Sequence, residues 1–72
     1  MTDIDYMINH VATDLIVLLM EKRGLTFTEA VDTLYSSDTY AKLLEKKTGL
    51  YFQSPKYVYS YLEHELQTGV MG

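Results

Sequence analysis

The chain has 72 residues, no cysteine and a formal charge of −4, so disulfides, thiolate metal sites and a cysteine nucleophile are excluded together. Its 47% hydrophobic and 22% charged content is that of one ordinary folded domain covering 1–72, with no linker or disordered arm. A domain this small draws only a few kcal/mol of net stability from its core, which makes help from a partner an expectation from the outset.

The first element predicted is a helix near residues 4–23. Asp3 and Asp5 suit the positive end of its dipole and Lys22 and Arg23 the negative end. Gly24 then supplies a left-handed stop. At about 100° per residue, Ile4, Met7, Ile8, Val11, Ala12, Leu15, Leu18 and Leu19 form one stripe. The run Leu15-Ile16-Val17-Leu18-Leu19-Met20 overfills it, so Ile16, Val17 and Met20 are expected to project on the far side as a second apolar patch. This helix is the central one, packed on its own chain and offering that patch to another helix or subunit.

The sequence Thr26-Phe27-Thr28-Glu29 has the form of a capping box and predicts a second helix near 27–36, with Phe27, Val31 and Leu34 inward and Tyr35 at the edge. Ser37 or Asp38 caps a third, near 39–47, with Tyr40, Leu43 and Leu44 inward beside the stem of Lys47. Thr48-Gly49 ends it, and Leu50-Tyr51-Phe52 reads as an extended aromatic segment laid across the helix ends. Ser54-Pro55 starts a fourth helix near 55–67, with Val58, Leu62 and Leu66 as its core stripe and Tyr59 at the margin. Gly69 and the residues after it are expected to fray. No stretch alternates with period two long enough for a strand pair. The fold class is therefore all-α, a bundle of about four helices whose core is led by Ile8, Val11, Leu15, Leu18, Leu19, Val31, Leu34, Leu43, Leu44, Val58 and Leu62.

Location follows from the same pattern. The apolar run of the first helix is interrupted by Asn9, His10, Thr13 and Asp14 and falls short of the roughly 20 residues a membrane span needs. Acids stand where a secretory signal carries bases, so a soluble cytoplasmic protein is expected. All six basic residues lie between 22 and 56 with four acids, a local charge of +2, whereas the flanks hold six acids. An overall acidic chain does not attract polyanions.

The run from Leu34 to Leu44, continued from Thr48 to Tyr59, resembles a family of short bacterial proteins of unknown function, over roughly residues 11 to 66. Such stand-alone helical proteins resemble partners of toxin–antitoxin or mobile-element loci. The resemblance implies a bacterial origin and a helical fold, and it brings no catalytic or binding residue with it.

Chemistry is sparse. His10 and Asp14 stand one helical turn apart, as two metal ligands or an acid–base pair would, but no second cluster completes a site and the pair reads as a solvated helix face. Glu63, His64 and Glu65 point to three different faces. Ser36, Ser37 and Ser54 sit where caps and turns need hydroxyls, and the four glycines stand singly, so no phosphate loop exists. No catalytic residue, metal ligand, cofactor or small-molecule substrate is identified, and an enzyme is not expected.

Two surfaces remain. The second helix, turn and third helix, with Lys42, Lys46 and Lys47, have the outline of a helix-turn-helix, yet that third helix lacks the Arg, Asn or Gln that read base edges. Tyr57, Tyr61 and His64 form a row on the outer face of the fourth helix, and exposed tyrosine favours a protein contact. The reading is a non-enzymatic protein–protein interaction module, a homodimer or the partner of another protein, with Ile16, Val17, Met20, Tyr57, Tyr61 and His64 as its interface. An antitoxin-like DNA-binding protein is the alternative.

Overall fold

A computed structural model describes residues 3–69. Its first helix, α1 (Asp3–Arg23), has 21 residues, hence a length of about 31 Å at 1.5 Å per residue. The longest dimension of the molecule is 32 Å. Thus α1 runs the whole length of the fold, and α2 (Phe27–Tyr35), α3 (Asp38–Leu44) and α4 (Pro55–Thr68) all pack against it. The architecture is an all-α bundle of four helices, with no strand among the described residues.

The breaks between helices are written locally. Gly24 takes φ 67°, the left-handed conformation that ends α1 without a Cβ penalty. At Thr26 the capping box is complete: the Glu29 amide donates to Thr26 Oγ1 at 3.2 Å, and the Thr26 amide donates to Glu29 Oε1 at 2.9 Å. These hydrogen bonds to the ionised form lower the Glu29 pKa. Ser37 caps α3, accepting from the Tyr40 amide at 3.0 Å, and Ser54 caps α4, accepting from the Tyr57 amide at 3.2 Å with Pro55 just inside.

The third helix is shorter than its apolar spacing predicts. It stops at Leu44, Glu45 turns extended, and Lys46–Thr48 forms a separate 3₁₀ turn ending at Gly49 in the left-handed conformation. The Thr48 hydroxyl lies 2.6 Å from the Lys42 carbonyl and 2.9 Å from that of Glu45. It satisfies helix-end carbonyls that a continuing helix would bond to later amides. Two expectations fall with the shortened helix: Leu44 is 48% exposed and leaves the core, and Lys47 is exposed rather than laid beside it.

Leu50–Phe52 forms a second 3₁₀ turn instead of an extended segment; it buries Leu50 and Tyr51 and leaves Phe52 outside. The core otherwise follows the stripes, with Leu15, Leu19, Leu34, Leu43, Val58 and Leu62 fully buried and Leu18 and Val31 partly so. Ile16 was placed on the far patch by its angle and is instead buried. From Met7 to Ile16 the covered arc of α1 spans roughly half its circumference at 100° per residue, more than a single-stripe helix covers. Phe27 makes the opposite departure: it is the first residue of α2 and is 63% exposed. Tyr59, expected at the margin, is buried.

Candidate interaction surface

With Ile16 enclosed, Val17 and Met20 remain outside, 45% and 37% exposed. They stand on the solvent face of α1, which continues toward the N-terminus through Thr13 and His10 to Tyr6, itself 64% exposed. The polar members of this face are satisfied by their own helix. Thr13 donates to the Asn9 carbonyl at 2.9 Å, and His10 Nδ1 lies 3.4 Å from the Asp14 carboxylate. Both side chains of that pair are largely in water, where an ion pair contributes little, so it is a solvated helix face. Two shallow depressions mark the surface. One, of about 370 Å³, is bordered by Tyr6, His10 and Thr13; the other, of about 360 Å³, lies between Val17 and Leu18 of α1 and Pro55 of α4.

On α4, Tyr57 and Tyr61 are brought together. Their hydroxyls are 2.8 Å apart and their rings meet edge-on, with centroids 5.2 Å apart at 86°. Sharing that hydrogen bond raises the pKa of Tyr61. His64 does not join this pair but borders an open groove of about 390 Å³ with Lys22, Lys56, Ser60 and Glu63. Tyr59 also lines that groove, and its buried hydroxyl makes no well-formed hydrogen bond among the described residues. Burial first, and then the neighbouring Glu63 carboxylate, raise its pKa, with Arg23 acting in the opposite direction.

The three candidate nucleic-acid lysines are not presented as one helix face. Lys42 lies on α3, 4.0 Å from Glu45, whereas Lys46 and Lys47 belong to the separate 3₁₀ turn. The N-terminus of α3, the end a recognition helix turns toward base edges, is already filled. There the Glu65 carboxylate accepts from the Asp38 amide at 2.7 Å, from the Thr39 amide at 2.9 Å and from the Thr39 hydroxyl at 2.7 Å. Partial burial opposes the ionised carboxylate, but the three hydrogen bonds prevail and its pKa is lowered. Spacing along the sequence did not single out Glu65, because its partners lie 26 and 27 residues away.

Tyr35 stacks on Tyr40 at 4.7 Å, and Leu44 follows one turn later on α3. Burial, with Tyr35 close by, raises the pKa of Tyr40.

For chemistry the surface offers little. Among the described residues no three His, Asp or Glu side chains converge as a metal site would need, and no helix is long and apolar enough to cross a membrane. The hydroxyls of Ser37 and Ser54 are engaged as helix caps. No protein-family model, curated protein or solved structure matches the chain.

Proposed function

We propose that the chain is a non-enzymatic protein–protein interaction module that self-associates through the outer face of α1. The observation that carries this reading is the exposure of Tyr6, Val17 and Met20 on one helix after the core has closed without them. A small protein hides such a face most simply against a copy of itself. The Tyr57–Tyr61 pair is a subsidiary contact candidate, because its hydroxyls already satisfy one another. A cytoplasmic location suits this role.

Val17→Glu tests it by placing a charge in the contact while leaving the core intact. Light scattering across a tenfold concentration range is expected to give the wild type a mass rising toward twice its 8.3 kDa, and the variant a constant monomer mass with unchanged helicity. A wild-type mass that stays at the monomer value throughout would sink the reading.

The DNA-binding alternative draws on the three exposed lysines and meets the acidic Glu65 at the start of α3. Mobility-shift assays on random-sequence duplex are expected to show no complex even at low salt, where phosphate contacts are strongest. A shift that weakens as salt is raised would reverse the order of the two readings.

A further inference from the structure

The groove between the end of α1 and one side of α4 holds charge and hydrogen-bonding capacity that the fold does not use. Along α4 it is bordered by Lys56, Ser60, Glu63 and His64, whose spacing keeps them on one side of the helix, and Lys22 of α1 adds a second ammonium. Neither lysine forms an ion pair among the described residues. With His64 neutral, the two lysines and Glu63 give this border a charge of +1, in a chain whose net charge is −4. Its size, about 390 Å³, falls in the range of sites that hold one small molecule.

Donors and acceptors are sorted along the groove. Lys56 stands at its start, and Ser60 and Glu63 follow one and two turns later. The Ser60 hydroxyl donates to the Tyr57 carbonyl and the ionised Glu63 carboxylate has no proton to give, so both are acceptors toward a ligand. Tyr59, 4% exposed, lies beside Glu63, and its hydroxyl makes no well-formed hydrogen bond among the described residues. Burial, and then that carboxylate, hold the phenol in its protonated form, which leaves a donor short of an acceptor.

We propose that this groove binds a small organic phosphate with a hydroxylated body, of the sugar phosphate class, with its phosphate against Lys22 and Lys56 and its hydroxyls donating to Ser60 and Glu63. A phosphate dianion matches two ammonium groups, whereas Glu63 repels a bare anion and favours a ligand that brings donors. Positions 56 and 63 lie about 10 Å apart along the helix axis, the span of a phosphate and one sugar ring. A ligand oxygen beside Glu63 gives the Tyr59 hydroxyl the acceptor it lacks. A long polyanion is disfavoured by the acidic chain around the groove. The site uses none of Tyr6, Val17 and Met20, so it stands or falls independently of self-association.

Backbone amide resonances of the isotope-labelled chain, titrated separately with ribose 5-phosphate, inorganic phosphate and ribose, test the site. Ribose 5-phosphate is expected to give saturable shifts at residue 22 and across 56–67, inorganic phosphate to bind more weakly at the same place, and ribose alone to give none. Lys22→Gln and Lys56→Gln, both at exposed positions, should each weaken the sugar phosphate by about fivefold, the scale of one solvent-exposed charge contact. Glu63→Gln should act in opposite directions on the two phosphates. It tightens inorganic phosphate by removing a repelling charge and weakens ribose 5-phosphate by removing an ionised acceptor. Tyr59→Phe deletes a hydroxyl with no well-formed bond in the free chain, so the melting temperature should hold or rise while ribose 5-phosphate binds more weakly. No saturable shift with ribose 5-phosphate up to tens of millimolar would overturn the site. A Glu63→Gln variant that tightens both phosphates would overturn the hydroxylated ligand, and a Tyr59→Phe variant with a lower melting temperature and unchanged affinity would overturn the contact assigned to Tyr59.

Discussion

Leu15→Ala is expected to lower the unfolding free energy by roughly 2–5 kcal/mol, the range for a fully buried leucine whose cavity the surroundings only partly fill. Leu15 has no exposed surface and lies midway along the helix on which the other three pack. A chain of this size holds roughly 4–11 kcal/mol in total, so the substitution removes a large share of its stability and lowers the melting temperature by about 10 °C or more. Val17→Ala, two residues on and exposed, should stay within about 0.5 kcal/mol in the monomer. Urea unfolding of both variants at one fixed, low protein concentration separates packing within the chain from any contribution of association. A loss below about 1 kcal/mol for Leu15→Ala would mean that α1 is not phased on its long apolar stripe.

The parts of this fold legible in the sequence are those decided within one helical turn. Thr26 with Glu29, Ser54 with Pro55, and Gly24 mark ends through bonds and dihedral angles belonging to adjacent residues, and each sits where its spacing places it, whereas Gly49, expected to end the third helix, closes a separate 3₁₀ turn beyond it. What the spacing missed was decided by neighbours in space. Ile16 is off the apolar stripe by angle, yet α1 is covered around roughly half its circumference, so a rule that assumes one-sided cover misplaces it. Leu44 keeps helical spacing from Tyr40, but α3 ends at it, and the Thr48 hydroxyl bonds the Lys42 carbonyl and that of Glu45 just beyond the helix. Val17 and Met20 were legible as surplus apolar residues. Tyr6 was not, because the polar residues Asn9, His10 and Thr13 separate it from that run.

Glu65 is the residue whose role no local pattern encodes, and its loss is expected to have the second-largest effect. Its carboxylate takes the place of an N-terminal side-chain acceptor for the first amides of α3 and also holds the hydroxyl of Thr39, a residue with no exposed surface. Glu65→Ala leaves those donors unpaired, one of them on a fully buried residue, and should cost roughly 1.5–3 kcal/mol, the range for hydrogen bonds to a charged group. The cost should depend on pH in a fixed direction. The folded-state pKa lies below the ordinary value of 4.5, so the unfolded chain binds the proton more readily than the folded one. The stabilisation is therefore fully present above 4.5 and is lost as pH falls through the lowered folded-state value. The difference in stability between wild type and Glu65→Gln should be largest near neutrality and should shrink below pH 4.5. Thr39→Val in the same background isolates the hydroxyl: if the two side chains act through one bond, the double variant should lose less than the sum of the single losses. A wild-type and Glu65→Gln pair whose stability curves run parallel down to pH 3 would show that the carboxylate charge does not hold α4 to the start of α3.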